Sequence, residues 1–224
     1  MRIEGCLRRK LFVVTCCFFA CGVVCAAAYG ATSVSPENQQ LIKDVLRSIG
    51  VPCVEQIGIE SRAIGGAGVR LVLPQRITFF LNEEWFNSLG DAGKRFVIGH
   101  EAGHLKRWHG QKTIAAMLAG AFVTVGAFWS GGAKVGFPTL AAWLVFLCWY
   151  SRRMGLEADR DAALHSPAIA QAGIDAMCLC QRYEQDENPS LARRFDRALF
   201  HFSHPPFERR IKALEPMLHN PGDR

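Results

Sequence analysis

The sequence predicts an α+β protein that is mostly helical, with a small sheet, an inserted apolar helical hairpin and an N-terminal hydrophobic segment. Three observations predict this fold class. Apolar residues make up 50% of the 224 residues and are clustered rather than spread along the chain. Several stretches open with the Ser-Pro or Asn signals typical of helix starts. Short runs of β-branched and aromatic residues, typical of strands, all lie before residue 82.

The charge and the cysteines exclude two classes of protein. The net charge of +6 is modest and the arginines are scattered, so we expect no nucleic acid partner. Most of the nine cysteines lie in apolar runs, and only Cys53, Cys178 and Cys180 fall in the soluble part. An odd set of three does not form a disulfide framework.

Residues 1–34 are predicted to be a signal peptide or an N-terminal membrane anchor. Arg2 and the basic run Arg8-Arg9-Lys10 precede an uncharged stretch from Leu11 to Pro36. A basic flank followed by an apolar run is the pattern of both kinds of segment. The long, aromatic-rich apolar run favours the anchor.

The remaining domain is predicted to extend over residues 35–218, followed by a loose tail at 219–224. Its first helix starts at Ser35-Pro36 and stops at Gly50. Strands are predicted over 54–60, 69–73 and 77–81. Asn82 then caps a short helix that ends at Gly90.

The next helix, predicted from about Asp91 to His109, carries the sequence His-Glu-Ala-Gly-His at residues 100–104. Residues four apart lie on one face of a helix, so His100 and His104 can bind one metal ion, and neutral imidazoles suit zinc. Glu101 projects beside that metal, where it can accept a proton from a water molecule. Ala102 and Gly103 are small enough for another segment to approach closely.

Residues 113–150 are predicted to form an apolar hairpin that inserts into a membrane. Lys134 is the one charged residue between Thr113 and Ser151. A glycine-rich hinge at 130–136 divides two apolar arms, and basic and aromatic residues flank both arms on the same side. The alternative is a hydrophobic hairpin buried in the core of the domain.

The orientation in the membrane is predicted from two conflicting signals. The basic N-terminus places the catalytic part on the non-cytoplasmic side, whereas the basic flanks of the hairpin place it in the cytoplasm. The first segment usually dominates, so we expect a membrane protein with its catalytic part on the non-cytoplasmic side.

A third metal ligand is expected from the stretch Gly155 to Ala163. A catalytic zinc ion needs three protein ligands and one open position. Glu157 is the predicted third ligand. Asp161, four residues later on the same face, is predicted to accept the second ring N–H of a zinc-binding histidine.

The rest of the chain is predicted to be helical, with helices from Ser166-Pro167 to about Glu184, from Pro189 to about Phe202, and after the turn Ser203-His204-Pro205-Pro206.

The ordered set of motifs resembles the membrane zinc metallopeptidases of the HtpX, Oma-type and CAAX prenyl protease family. The set comprises His-Glu-x-x-His, an apolar hairpin, Glu-x-x-x-Asp and Ser-His-Pro-Pro-x-x-x-Arg-Ile-x-x-Leu, and it covers roughly residues 77–214. The resemblance implies a zincin-like metallopeptidase domain of the gluzincin type, endopeptidase activity and one zinc ion per chain. His100, His104 and Glu157 match the zinc ligands, Glu101 the general base, and His204 a late histidine that helps catalysis near the metal.

The chain departs from this family in one place. Relatives often read Ser-Arg-x-x-Glu-x-x-Ala-Asp. Aligning on Ser151-Arg152 puts Gly155 at the ligand position, whereas aligning on the carboxylate spacing keeps Glu157 and Asp161 but shifts the Ser-Arg pair. The second register is preferred, because the first would leave a site of two histidines.

The function expected from the sequence is hydrolysis of peptide bonds in membrane or misfolded envelope proteins, with Glu101 as the proton acceptor. The expected partners are a protein or peptide substrate and the lipid bilayer. The alternative is a catalytically inactive, membrane-bound binding or chaperone-like module whose metal is structural or absent.

Overall fold

A computed structural model describes residues 32–51, 54–61, 67–72, 76–184, 201 and 204–219. The residues from Ser33 onward belong to one compact unit. Most of the predicted N-terminal segment 1–34, most of the helix predicted at 189–202 and most of the tail at 219–224 lie outside the described residues. The elements in chain order are β1 (Thr32–Ser33), α1 (Pro36–Ile49), β2 (Gly58–Ser61), β3 (Ala67–Val72), β4 (Arg76–Leu81), α2 (Glu83–Ser88), α3 (Asp91–Lys106), α4 (His109–Ala163), α5 (Pro167–Glu184) and α6 (Phe207–Leu214).

Helix α1 has the start and the stop that the sequence predicts. Pro36 occupies its first turn, and Gly50 ends it with a φ of 80°, a left-handed conformation that glycine adopts without strain. The amide N–H of Ser35 and the Nδ2 of Asn38 both donate to the Glu83 carboxylate at 2.9 Å. These two bonds fix the start of α1 against α2.

The sheet has the strand order β1-β2-β4-β3. Strand β2 is parallel to β4, with Gly58 opposite Thr78, and β3 is antiparallel to β4, with Ala67 opposite Leu81. The predicted first strand begins later than expected. Residues Val54–Gln56 form a 3-10 turn in which the Ile57 N–H donates to the Val54 carbonyl, so the chain extends only from Gly58.

Helix α3 is shorter than predicted because the chain turns sharply at Trp108. The residue has a φ of 59°, and its N–H donates to the Leu105 carbonyl, which closes the end of α3. A new helix, α4, begins at His109. The turn therefore brings His109 back toward the last turn of α3.

The final segment of α4 packs closely on α3 through small residues. A Cβ atom on Gly103 would lie 3.1 Å from the Cα of Ala158, and one on Gly99 would lie 3.2 Å from the Cα of Ala162. Larger side chains at these positions would separate the helices. The close approach expected at Gly103 is therefore the contact that sets the position of α4 beside the motif helix.

Helix α4 is interrupted at Gly132, whose φ of 62° and ψ of −156° are not helical. The arms on either side lie against each other, because a Cβ on Gly120 would overlap the Trp143 ring and one on Gly136 would overlap the Phe128 ring. Residues 113–150 thus form the predicted hairpin. Among the described residues, α4 is the one helix long and apolar enough to cross a membrane, with a mean hydropathy of 1.6 over its most apolar window.

Candidate metal centre

His100 and His104 present their Nε2 atoms to each other from successive turns of α3, 3.2 Å apart. His204, from the turn before α6, lies beside both rings, at centroid distances of 6.0 Å from His100 and 6.4 Å from His104. Ligand nitrogens of the three imidazoles lie within 4.8 Å of one another. Residues from α3 and from the turn before α6, far apart in the sequence, therefore converge on one point.

The Nδ1 of His100 is held by a buried ion pair. Asp159 of α4 accepts a hydrogen bond from this Nδ1 at 2.8 Å. The same carboxylate, which is fully buried, accepts two bonds from the Arg210 guanidinium at 2.6 and 2.8 Å. Since the carboxylate holds the proton on Nδ1, the Nε2 of His100 carries a lone pair free for a metal.

The Nδ1 of His104 is held by His109, across the turn at Trp108. The two Nδ1 atoms are 2.9 Å apart. On the other side of the His109 ring, Nε2 lies 3.6 Å from the Glu157 carboxylate. When the proton of His109 is on Nε2, its Nδ1 accepts a hydrogen bond from the Nδ1–H of His104. The Nε2 of His104 then carries a lone pair that faces the centre, as the Nε2 of His100 does.

Burial favours the neutral form of the His104 and His109 imidazoles. It lowers the pKa of His104 well below the ordinary histidine value, and the neighbouring rings of His100, His204 and His109 lower it further. Burial also lowers the pKa of His109, against the opposing effect of Glu157. Neutral imidazole is the form that binds metal ions.

Asp159 is ionised in spite of its burial. Burial alone would raise the pKa of Asp159, but Arg210 and His100 outweigh it and hold that pKa well below its usual range. Asp159 therefore remains a carboxylate that can orient His100 at any pH near neutrality.

Glu101 is beside the centre and almost buried. Its side chain is 10% exposed, and its Oε1 lies 4.0 Å from the Nε2 of His100. A carboxylate at this place is close to a molecule bound between the imidazoles without being one of the three clustered ligands.

The three imidazoles fit a zinc ion. Two nitrogens bound to zinc at about 2.0–2.1 Å in tetrahedral geometry lie about 3.3 Å apart. The Nε2 atoms of His100 and His104 are 3.2 Å apart, close to this separation. The Nδ1 of each of these two histidines also has a partner that orients its ring, Asp159 for His100 and His109 for His104.

The sequence profile of Peptidase family M48 matches residues 38–218, which is most of the chain. The chain belongs to peptidase family M48. Its residues thus form a metallopeptidase domain. No curated protein matches the chain.

The M48 domain also resembles a solved structure, Ste24p of S. mikatae. The TM-score is 0.57 at 17% sequence identity, and the match covers 94% of this chain. It covers 57% of the Ste24p chain, so this chain spans little more than half the length of that protein. At this identity the likeness concerns the fold alone.

Four of the predicted site residues come together in the M48 domain, and two do not. His100, Glu101, His104 and His204 lie around one point. Glu157 is not part of this cluster. Its carboxylate instead contacts Arg153 at 3.1 Å and Arg107 at 3.8 Å, in addition to His109.

The position predicted for Asp161 has to be corrected. Its carboxylate accepts two hydrogen bonds from the Arg107 guanidinium at 2.5 and 2.8 Å. Asp159, two residues earlier, is the acceptor of the histidine ring N–H. Ala158 and Ala162 face α3. Asp159 and Asp161 lie on opposite sides of this contact and therefore point in different directions.

The contacts of Gly155 favour the register aligned on Ser151-Arg152, which puts Gly155 at the ligand position. A Cβ on Gly155 would lie 3.6 Å from the His204 ring and 3.3 Å from Pro205. Gly155 and Asp159 are four residues apart and share the face toward the histidines. A longer side chain at position 155 would extend toward the centre, whereas Glu157 points away from it.

Sequence reasoning missed three residues of the centre. His109 is five residues after His104, and only the turn at Trp108 brings the rings together. Asp159 lies on a different helical face from Glu157 and Asp161, so the four-residue spacing of those two carboxylates does not select it. Arg210 is part of the late motif that contains His204. The motif singles out this arginine, but it does not show that Asp159 is its partner.

Proposed function

We propose that this protein is a membrane-associated, zinc-dependent endopeptidase in which His100, His104 and His204 hold one zinc ion per chain. The observation that carries the proposal is the convergence of these imidazoles, with the Nε2 atoms of the first two 3.2 Å apart and their Nδ1 atoms occupied by Asp159 and His109. Three nitrogen ligands leave one position open, as in catalytic zinc sites.

The assignment of the third ligand to His204 is supported by the surroundings of Glu157. The Glu157 carboxylate is engaged with Arg107, Arg153 and His109. His204 instead lies with the other two imidazoles in one group of possible ligands. Glu157 then acts indirectly, by holding His109 against His104.

The hydrolytic chemistry requires a general base, and Glu101 is in position for it. When bound, zinc lowers the pKa of a coordinated water and polarises the scissile carbonyl. Glu101 accepts the proton of the attacking water and delivers it to the leaving amine. Its near-complete burial excludes bulk water from this proton transfer.

The proposed substrates are membrane proteins or misfolded envelope proteins, presented as extended segments. This part of the proposal is supported by the hairpin, whose large apolar side chains are exposed, for example Phe122 at 78% and Trp129 at 83%. The arm from residue 109 to 131 is about 34 Å long, enough for the apolar core of a bilayer.

The proposed orientation, with the catalytic part on the non-cytoplasmic side, is supported by the basic residues that precede the N-terminal apolar segment. A protease added outside intact cells should remove a C-terminal epitope. Protection of that epitope until the cells are lysed would place the domain in the cytoplasm.

The role of Glu101 is tested by comparing Glu101→Gln with Glu84→Gln, an exposed glutamate of α2. We expect Glu101→Gln to keep its zinc and to cleave an unfolded protein substrate in detergent at least about 100-fold more slowly than wild type. The Glu84→Gln variant should behave as wild type. Equal cleavage by wild type and Glu101→Gln would refute the assigned role.

The inactive binding module is the alternative that the same assay addresses. Wild-type protein with stoichiometric zinc and no hydrolysis of any unfolded substrate would favour that alternative over the endopeptidase.

A further inference from the structure

A cavity of about 520 Å³ lies between the second half of α4 and the helix α6. Seven of its lining residues follow one face of α4 at intervals of four. They are Leu144, Val145, Cys148, Trp149, Arg152, Arg153 and Leu156, and α6 adds Arg209. The lining changes along the helix from apolar residues to arginines, so the cavity has one apolar end and one cationic end.

The cationic end of the cavity is formed by three arginines. Arg152 donates from Nη2 to the His201 carbonyl at 2.8 Å, but its Nε is buried and has no hydrogen-bond partner among the described residues. Arg153 contacts the Glu157 carboxylate at 3.1 Å and lies over the Trp149 ring at 5.9 Å. Arg209 reaches the same cavity from α6. Three guanidinium groups thus line the cavity, and one of them, that of Arg153, is paired with a carboxylate.

The apolar end continues into the exposed surface of the hairpin. The side chain of Val145 is 71% exposed, that of Leu144 is 45% exposed and that of Trp149 is 54% exposed. From Leu144 to Arg152 the helix rises about 12 Å, which is comparable to the upper half of an acyl chain. A ligand that fills the cavity must therefore join an anionic group to a hydrocarbon chain.

We propose that this cavity binds one anionic phospholipid, with its phosphate on the guanidinium groups of Arg152 and Arg209 and an acyl chain along Leu144, Val145 and Trp149. Planar guanidinium groups bind phosphate oxygens in pairs, so arginines beside an apolar wall match the phosphate and the acyl chain of an anionic phospholipid. The proposal rests on the insertion of the hairpin into a membrane, which belongs to the proposed function. Free phosphate would satisfy the arginines but would leave the apolar wall exposed to water.

The test uses the full chain with two double variants that remove the same charge from the same two helices. Arg152→Gln/Arg209→Gln alters the cavity, and Arg160→Gln/Lys212→Gln alters exposed positions of α4 and α6. Each protein is reconstituted in vesicles of phosphatidylcholine alone or with phosphatidylglycerol. Flotation measures insertion, and native mass spectrometry after extraction measures the phospholipid that stays bound.

We expect wild type and the exposed-site variant to retain one phosphatidylglycerol in preference to phosphatidylcholine. The cavity variant should lose this preference by about tenfold or more, since each arginine near anionic lipid contributes roughly fivefold. All three proteins should float with both kinds of vesicle.

Equal retention of phosphatidylglycerol by the two double variants would overturn the proposal, and so would its full displacement by inorganic phosphate. Failure of wild type to float with either vesicle would refute the insertion on which the site depends. Selective loss of the lipid preference with intact flotation would support the site.

Discussion

Two parts of α4 differ in which side chains they expose and which they bury. The hairpin arms expose large apolar side chains, including Phe122, Trp129 and Val145. The last three turns, residues 154–163, instead bury a carboxylate completely, at Asp159. Water as the only solvent would favour neither arrangement.

The difference shows that the two parts are stabilised by different surroundings. Asp159 is compensated within the protein, by Arg210 and His100, and its segment packs on α3 through Ala158 and Ala162. The arms of the hairpin pack against each other, and a hydrocarbon environment would cover their exposed side chains. The predictions below test each half of this comparison.

The largest effect is expected at the buried ion pair. Asp159→Ala leaves Arg210 charged and unpaired in the core, which should lower the free energy of unfolding by about 3–5 kcal/mol. Asp161→Ala, which removes a partly exposed pair with Arg107, should cost less than about 1 kcal/mol. Thermal or chemical unfolding in detergent measures both. Similar losses for the two variants would contradict the account of the core.

The same pair has a defined pH dependence. The folded-state pKa of Asp159 is lower than the unfolded value, so its stabilisation is present above about pH 4 and is lost as the pH falls further. The difference in unfolding free energy between wild type and Asp159→Asn should therefore shrink below about pH 4. An unchanged difference down to pH 2 would argue against an ionised Asp159.

The hairpin is tested by placing a charge on its exposed face. Phe122→Asp should reduce membrane insertion by about 2.5–3.5 kcal/mol, the cost of an aspartate at the centre of a bilayer. Leu164→Asp is the matched control, because Leu164 is also exposed, at 60%, but lies after the hairpin. An insertion assay compares the two. If Phe122→Asp inserts as well as the control, the hairpin does not face hydrocarbon.

The contact between the arms is tested by two glycines of the first arm. A Cβ on Gly120 would overlap the Trp143 ring, whereas a Cβ on Gly126 meets nothing within 4 Å. Gly120→Ala should destabilise the protein by about 1–3 kcal/mol. Gly126→Ala should be neutral or stabilising by up to about 1 kcal/mol. The reverse order of unfolding temperatures would show that the arms pack differently.

Much of the fold could be predicted because local signals decide it. Ser35-Pro36 and Gly50 bound α1, and Asn82 caps α2 by accepting a hydrogen bond from the Trp85 N–H, all as the sequence indicates. The hinge of the hairpin falls at Gly132, inside the predicted glycine-rich stretch. Positions that need a left-handed or flexible backbone are visible in a sequence. The exception is Trp108, whose backbone is left-handed although the residue is not glycine.

The site could be predicted only in part, because spacing fixes which residues share a face but not which face meets the neighbour. Glu157 and Asp161 share one face of α4, and Gly155 and Asp159 share another. The packing of Ala158 and Ala162 on α3 turns the second face toward the histidines. That rotation depends on a contact between distant segments, which the spacing of residues within α4 does not show.

The central claim concerns the third ligand, and the zinc affinities of His204→Ala and Glu157→Ala test it directly. Competition with a chelator at neutral pH gives both values. We expect His204→Ala to lower the zinc affinity by more than about 100-fold, which exceeds the usual effect of removing a residue that only orients a ligand. Glu157→Ala should lower it by about tenfold at most. A larger loss for Glu157→Ala than for His204→Ala would contradict the three-histidine centre.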